Sequence, residues 1–303
     1  MLCPYCLRDA SGPVCQHCKE PLPPLYIQRH GGFAKQPAIL SAVGFSGHGK
    51  TVYLAAMLHA MEKQLTHVWP KFYRQGLDTE SVRNVQENLA LLRKGELPES
   101  TRRNFPRPSG HILSDMPKYG TRDLLIYDPP GEAFDTDVGI ERFAHFVQRA
   151  KAVMFLVSLV NLQEPKEVDL HRLLETYVLG MARMKANTRR QHLVITYTKA
   201  DLLSGEFGNH SAVVDHLRDP DSRDLANPKH YVKTLRGISN ELAIYTEQEL
   251  GARSFVHLAQ KQFADTVYCA VSALGAPPEG GHLATAIEPR CVVDPLLWVL
   301  EKS

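Results

Sequence analysis

The chain reads as an α/β fold: a mostly parallel central sheet flanked by helices, with helical insertions and a small cysteine-rich unit ahead of it. Three observations predict this. Val153–Val160 and Leu193–Tyr197 are continuous apolar runs of strand length, without the polar alternation of half-exposed strands, as expected of buried parallel strands. Segments of helical period alternate with such runs. Four cysteines, Cys3, Cys6, Cys15 and Cys18, crowd the N-terminus before any apolar run begins.

The elements follow in order. Residues 1–20 are too short to build a core of their own. Pro21-Leu22-Pro23-Pro24 reads as a stiff connector opening a linker over 21–37. Ala38–Val43 is a short apolar strand ending at a Gly-rich loop, and Thr51–Gln64 is the helix that loop opens. Thr79–Arg93 carries Val82, Val85, Leu89 and Leu92 at helical spacing. His111–Met116 and Asp123–Asp128 read as an adjacent antiparallel pair. Helices are predicted over Ile140–Arg149, Val168–Met184 and Ile238–Leu250, and a short apolar one over Pro295–Glu301. Thr266–Val271 is the last strand. Gly205–Arg236 is polar and holds Pro220 and Pro228, so it reads as an insertion. One domain over 38–303 accounts for these elements.

Composition excludes several classes. A chain of 303 residues with 44% hydrophobic and 22% charged residues is expected to bury a core. The formal net charge of +2 points to neither nucleic acid nor a membrane surface as partner. The N-terminus shows no apolar signal core, and no run approaches the roughly 18–20 apolar residues of a membrane span. A cytoplasmic protein is the expectation. Cys269 and Cys291 lie in apolar surroundings and read as buried free thiols.

Gly44-Phe45-Ser46-Gly47-His48-Gly49-Lys50-Thr51 fits G-x-x-x-x-G-K-[ST], placed between a strand and a helix as the chemistry requires. Glycines let backbone N–H groups curl around a phosphate, and the helix N-terminus adds its positive dipole end. The candidate phosphate-binding set is Gly44, Ser46, Gly47, His48, Gly49, Lys50, Thr51 and Val52. Lys50 is expected to reach the β- and γ-phosphates, and the Thr51 hydroxyl to ligate Mg²⁺.

Three further segments fall in order, each at the carboxyl end of a predicted strand, where α/β sheets bind ligands. Asp128-Pro129-Pro130-Gly131 matches D-x-x-G: Asp128 would hold Mg²⁺ through water, and the Gly131 N–H would sense the γ-phosphate. Thr198-Lys199-Ala200-Asp201 matches [NT]-K-x-D. The Asp201 carboxylate suits the N1–H and exocyclic amine of guanine, a donor pair that adenine lacks, while the Lys199 stem packs over the base. Ser272-Ala273-Leu274 follows the last strand and would meet the guanine carbonyl through its backbone. Each segment alone is weak; their order predicts GTP or GDP as ligand.

The two C-x-x-C pairs, eight residues apart, present four thiolates and so predict closed tetrahedral Zn²⁺ coordination in place of a core. Redox use of the pairs is an alternative, and His17 is a spare ligand.

The stretch 38–303 resembles the TRAFAC class of P-loop GTPases, and most of all the double-GTPase or DO-GTPase domains of bacterial conflict and signalling gene clusters. The P-loop at 44–51, Leu97-Pro98-Glu99-Ser100-Thr101, Asp128-Pro129-Pro130-Gly131-Glu132, Thr198-Lys199-Ala200-Asp201 and Val293-Asp294-Pro295-Leu296-Leu297-Trp298 carry the resemblance. It implies a Ras-like fold and a switch acting on effector or regulator proteins. It also implies a switch threonine that binds Mg²⁺, assigned to Thr101, with Thr79 and Thr121 poorer by position. The neighbouring Arg102 and Arg103 stand where such proteins can supply an arginine in cis. Two residues depart from the Ras-like pattern: Ser46 replaces a glycine, and Glu132 replaces the glutamine that orients water. With Glu132, hydrolysis is expected to be slow or activator-dependent. The residues assigned to catalysis are Lys50, Thr51, Thr101, Asp128, Gly131 and Glu132. A non-hydrolysing adaptor and a P-loop ATPase or nucleotide kinase remain the alternative readings.

Overall fold

The structure is a computed structural model describing residues 1–31, 36–98, 106–203, 205–218, 225–278, 282–283 and 286–302. Its centre is a seven-stranded sheet: β1 (Ala38–Val43), β2 (Tyr73–Gly76), β3 (Ser109–Met116), β4 (Gly120–Tyr127), β5 (Ala152–Val157), β6 (His192–Tyr197) and β7 (Asp265–Ala270). The spatial order is β2-β3-β4-β1-β5-β6-β7. β2, β3 and β4 pair antiparallel, whereas β4, β1, β5, β6 and β7 run parallel. Every residue of β1 and β5 is buried, which is why these segments are apolar throughout.

Register positions the site. Ser41 pairs with Tyr127, Val43 with Phe155, Val157 with Tyr197, and Tyr197 with Ala270. The five parallel strands therefore end along one edge, and the chain leaves that edge at 44, 128, 158, 198 and 271. The sequence motifs begin at four of these five exits.

The helices are α1 (Pro24–His30), α2 (Lys50–Ala60), α3 (Thr79–Arg93), α4 (Asp137–Phe143), α5 (Lys166–Arg183), α6 (Ser211–Arg218), α7 (Pro228–Ile244), α8 (Arg253–Gln262) and α9 (Asp294–Lys302). α9, apolar almost throughout, lies against β1, β5 and β6 and touches α7, while α4, α5 and α8 pack as a second group.

Several expectations are corrected. The 21–37 stretch carries α1, whose Tyr26 and His30 are buried; Arg29 and His30 both bond Asp123 of β4. Pro24 takes the first position of that helix, where a missing N–H costs nothing. α3 has the predicted bounds, but its inward face is Ser81, Val85, Leu89 and Leu92, with Val82 turned outward. α2 ends in a π-turn over Met61–Leu65. The polar 205–236 stretch holds α6 and the start of α7; Pro228 opens α7, capped by the Asn227 side chain on the His230 N–H. β2 and α8 were not predicted: β2 is a polar edge strand, Tyr-Arg-Gln-Gly, whereas α8 carries Phe255, Val256 and Ala259 at helical spacing, a signal the sequence reading passed over.

Candidate nucleotide site

The P-loop is shaped by two glycines in the left-handed region, Gly47 and Gly49, both at φ 79°. A side chain there would be strained. Lys50 opens α2 and turns back over the loop, its Nζ donating to the carbonyls of Gly44 and Phe45 at 2.9 Å each. Burial pushes its pKa down, while Asp128 and Glu132 oppose the shift. The Thr51 hydroxyl donates to Asp128 Oδ2 at 2.7 Å, joining the P-loop helix to the end of β4. Gly131 lies hard against the loop: a Cβ at this position would sit 2.3 Å from the Ser46 nitrogen.

His48 points inward rather than to ligand. The Ser158 N–H donates to its Nδ1 at 3.3 Å, and its ring meets Phe45 edge-on at 5.6 Å. Burial, helped by the charge of Lys50, lowers its pKa to about 4, so the imidazole is neutral. The Thr198 hydroxyl donates to the His48 carbonyl at 3.0 Å, linking the second motif to the first. Lys199 Nζ donates to Asn161 Oδ1 at 2.6 Å and reaches Gly47 O at 3.3 Å. Ser158 Oγ also donates to Asn161 Oδ1, at 2.6 Å. Three strand exits are thus laced by hydrogen bonds.

A cleft of about 530 Å³ runs along this edge. Ser46, Gly47, Gly49, Lys50, Thr51, Val52, Gly131, Glu132, Thr198, Lys199, Asp201, Ala273 and Leu274 all line it. Gly44, His48 and Asp128 lie behind the lining, held as described above. Ser272 lines a smaller neighbouring cleft that it shares with Asp201, its Oγ accepting the Gly275 N–H at 3.0 Å. Thr101, Arg102 and Arg103 lie outside the described residues.

Sequence reasoning missed Tyr53, Val160, Asn161, Leu202, Ala276, Pro277 and Pro278 in the lining; Leu97, Pro98 and Pro129, quoted within motifs but given no role of their own, line it as well. Asn161 was findable. β5 neighbours β1 in the sheet, so the loop after β5 must face the P-loop; extending that strand to Val160 concealed the loop.

The four N-terminal thiols converge. Cys3 Sγ lies 3.7 Å from Cys18 Sγ, Cys6 Sγ 3.6 Å from Cys15 Sγ, and all four fall within 4.8 Å of one another. A tetrahedral zinc with bonds of about 2.3 Å sets sulfurs about 3.8 Å apart, so the donor set fits that ion. The two halves repeat one turn: Leu7 N–H donates to Cys3 O and Lys19 N–H to Cys15 O, with Leu7 and Lys19 both left-handed. The knuckle is docked on the sheet. Tyr127 Oη donates to Pro4 O, Tyr26 Oη donates to Leu2 O at 2.7 Å, and Arg107 lies over the Tyr5 ring while bonding Glu20.

No helix among the described residues is long and apolar enough to cross a membrane. No curated protein matches the sequence. Among solved structures, the chain is similar to the GTP-bound Ski7 GTPase-like domain of S. cerevisiae, with 12% identity, a TM-score of 0.35, and coverage of 88% of this chain and 50% of that one. A GTP-binding protein from Sulfolobus solfataricus in complex with GDP gives 12% identity, a TM-score of 0.36, and coverage of 87% and 52%. The chain thus spans about half the length of these two. The signal recognition particle receptor SRb-GTP/SRX complex from Chaetomium thermophilum gives 12% identity, a TM-score of 0.42, and coverage of 89% and 100%. The model of the family described as Double-GTPase 2 matches residues 38–237, from β1 through the P-loop, the D-x-x-G turn and Asp201 into α7. The chain belongs to the Double-GTPase 2 family and carries a GTP-binding, GTPase-type domain.

Proposed function

We propose that this protein is a GTP-dependent switch that hydrolyses GTP slowly to GDP and phosphate and acts on partner proteins, in a bacterial conflict or signalling setting. The observation that carries it is the single cleft shared by Lys50 and Asp201, from motifs about 150 residues apart in the chain. A polyphosphate in the P-loop would draw Lys50 Nζ off the loop carbonyls. Its purine would lie between the Lys199 stem and Leu274, with Asp201 accepting from the guanine N1–H and amine. Thr51 and Asp128 offer adjacent hard oxygens, the donors Mg²⁺ prefers, and Thr101 is proposed to complete that set. Magnesium bound there neutralises phosphate charge. Gly131 abuts the loop at Ser46, so its N–H is suited to register a γ-phosphate. Cys3, Cys6, Cys15 and Cys18 are proposed to hold a structural zinc.

Glu132 lines the cleft where a water-orienting residue is needed, but it brings a negative charge toward the phosphate. That favours slow turnover and gives the non-hydrolysing adaptor its best support. Single-turnover hydrolysis by purified protein separates the two. A slow but measurable release of phosphate, accelerated by Glu132→Gln, is expected of the switch. Release indistinguishable from a Lys50→Ala control, with GTP still bound by the wild type, leaves only the adaptor.

A further inference from the structure

The segment Val293-Asp294-Pro295-Leu296-Leu297-Trp298 lies outside the nucleotide cleft, yet its aspartate is buried at the start of α9. Asp294 meets two residues brought from elsewhere: His216 of α6, and Cys291, three positions upstream. One ligand atom from each lies within 4.8 Å of the other two: an imidazole nitrogen, a thiol sulfur and a carboxylate oxygen. The four knuckle sulfurs meet the same limit. Cys291 and Asp294 are buried, and the His216 side chain is only 10% exposed.

Each donor is held in place. Tyr231 of α7 donates its hydroxyl to Asp294 Oδ1 at 2.7 Å, while Oδ2 lies 2.7 Å from His216 Nε2. A carboxylate fixed through its second oxygen has the outer support that metal ligands receive. Cys291 Sγ donates to the His216 carbonyl at 3.3 Å, so the residue that offers the imidazole also anchors the thiol. Cys291 has a left-handed backbone, φ 57°, which a non-glycine residue enters at a cost.

An imidazole beside a carboxylate is by itself an ordinary buried ion pair. The third donor decides. A thiol is a weak hydrogen-bonding group and adds little to such a pair, whereas sulfur, imidazole nitrogen and carboxylate oxygen together are a donor set of zinc. A thiolate, a carboxylate and a neutral imidazole also balance the charge of the dication, as a buried site requires. The Cys291 thiol proton and the His216 Nε2 proton leave as the metal enters. Tetrahedral zinc sets nitrogen and oxygen donors about 3.4 Å apart, so Nε2 and Oδ2 part by roughly 0.7 Å to seat it.

We propose that His216, Cys291 and Asp294 bind a zinc ion separate from the knuckle, with water as the fourth donor, that pins α6 to the start of α9. Its place gives it a use. Val214, Leu217 and Arg218 of α6 line the small cleft that Asp201 and Ser272 share, and Arg290, directly before Cys291, exchanges backbone hydrogen bonds with Ser272 at 2.8 and 3.1 Å. The ion would thus brace the chain that backs the Ser272-Ala273-Leu274 segment.

The test counts zinc in full-length protein by elemental analysis, after equilibration with zinc and removal of the excess. Wild type is expected to hold about one equivalent more than His216→Gln or Cys291→Ser. Circular dichroism and a cooperative melt show that the variants are folded, and Asp294→Asn is a milder third that should weaken zinc retention. Cobalt in place of zinc gives a second readout: wild type should show the charge-transfer band of a single-thiolate centre, and Cys291→Ser should lack it. Equal zinc content in wild type and the folded variants overturns the site and leaves an ion pair. A wild-type cobalt spectrum accounted for by one four-thiolate centre overturns it without any variant. A wild type holding about one zinc that Cys291→Ser loses supports this site and sinks the knuckle assignment instead.

Discussion

At Gly131 a methyl group has nowhere to go. A Cβ placed there would lie 2.3 Å from the Ser46 nitrogen and 2.7 Å from the Phe45 carbonyl carbon, and backbone cannot swing aside as a flexible side chain does. Gly131→Ala should therefore push the D-x-x-G turn off the P-loop, and GTP affinity should fall at least roughly tenfold, or about 1.4 kcal/mol. Gly237 in α7 is the control: nothing lies within 4 Å of a Cβ there, and Gly237→Ala should raise stability by about 0.5–1 kcal/mol without touching binding. Urea melts and nucleotide titrations of both variants check this. Two deeply buried histidines contribute to the acid response. Burial lowers His48 to about 4, and burial with the charge of Arg74 lowers His111 to about 3, against an ordinary value of 6.5. Arg74 donates to His111 Nδ1 at 3.1 Å, so Nε2 carries the proton toward Ser109 Oγ at 2.8 Å. Unfolded imidazoles take up protons that the folded ones refuse. Their contribution is thus complete above pH 6.5 and is lost as pH falls from 6.5 toward 4 and 3. Unfolding free energies measured at several pH values should decline over that window, less steeply in His111→Gln; a flat profile contradicts the neutral assignments.

At the scale of elements, legibility followed burial. β1, β5 and β6 were readable because both faces are covered and the sequence has no reason to alternate. α3 was readable from its apolar spacing, and Asp78 caps it by accepting the Ser81 N–H. β2 was not: it is an edge strand of half-exposed polar residues, and only its pairing with β3 makes it a strand. Pro228 misled because proline breaks a helix interior but suits a first turn. In the cleft, the P-loop and the [NT]-K-x-D segment were visible because their chemistry needs fixed residue types at fixed spacing. The Ala276-Pro277-Pro278 wall is set by where the chain returns in space, which no local pattern encodes.

At the scale of the molecule, the knuckle and the sheet act as one packed body. Leu2 and Leu7 belong to the main core, and Tyr127 reaches from the end of β4 to Pro4. Removing the zinc proposed for the knuckle should therefore do more than release a tail. Chelation, or Cys15→Ser, is expected to lower the melting temperature of the whole chain in a single transition, by several degrees if roughly 1–2 kcal/mol is lost. An unchanged calorimetric melt would show the knuckle to be energetically separate. The central claim is that phosphate and purine are gripped from opposite ends of one cleft, by Lys50 and Asp201. Its most direct measurement is a titration of wild type and Asp201→Asn with GTP, ATP and xanthosine triphosphate in the presence of magnesium. Wild type is expected to prefer GTP over ATP, and Asp201→Asn to move the preference from GTP toward xanthosine triphosphate. Equal affinities across the three nucleotides in wild type, or an unaltered preference in Asp201→Asn, would contradict it.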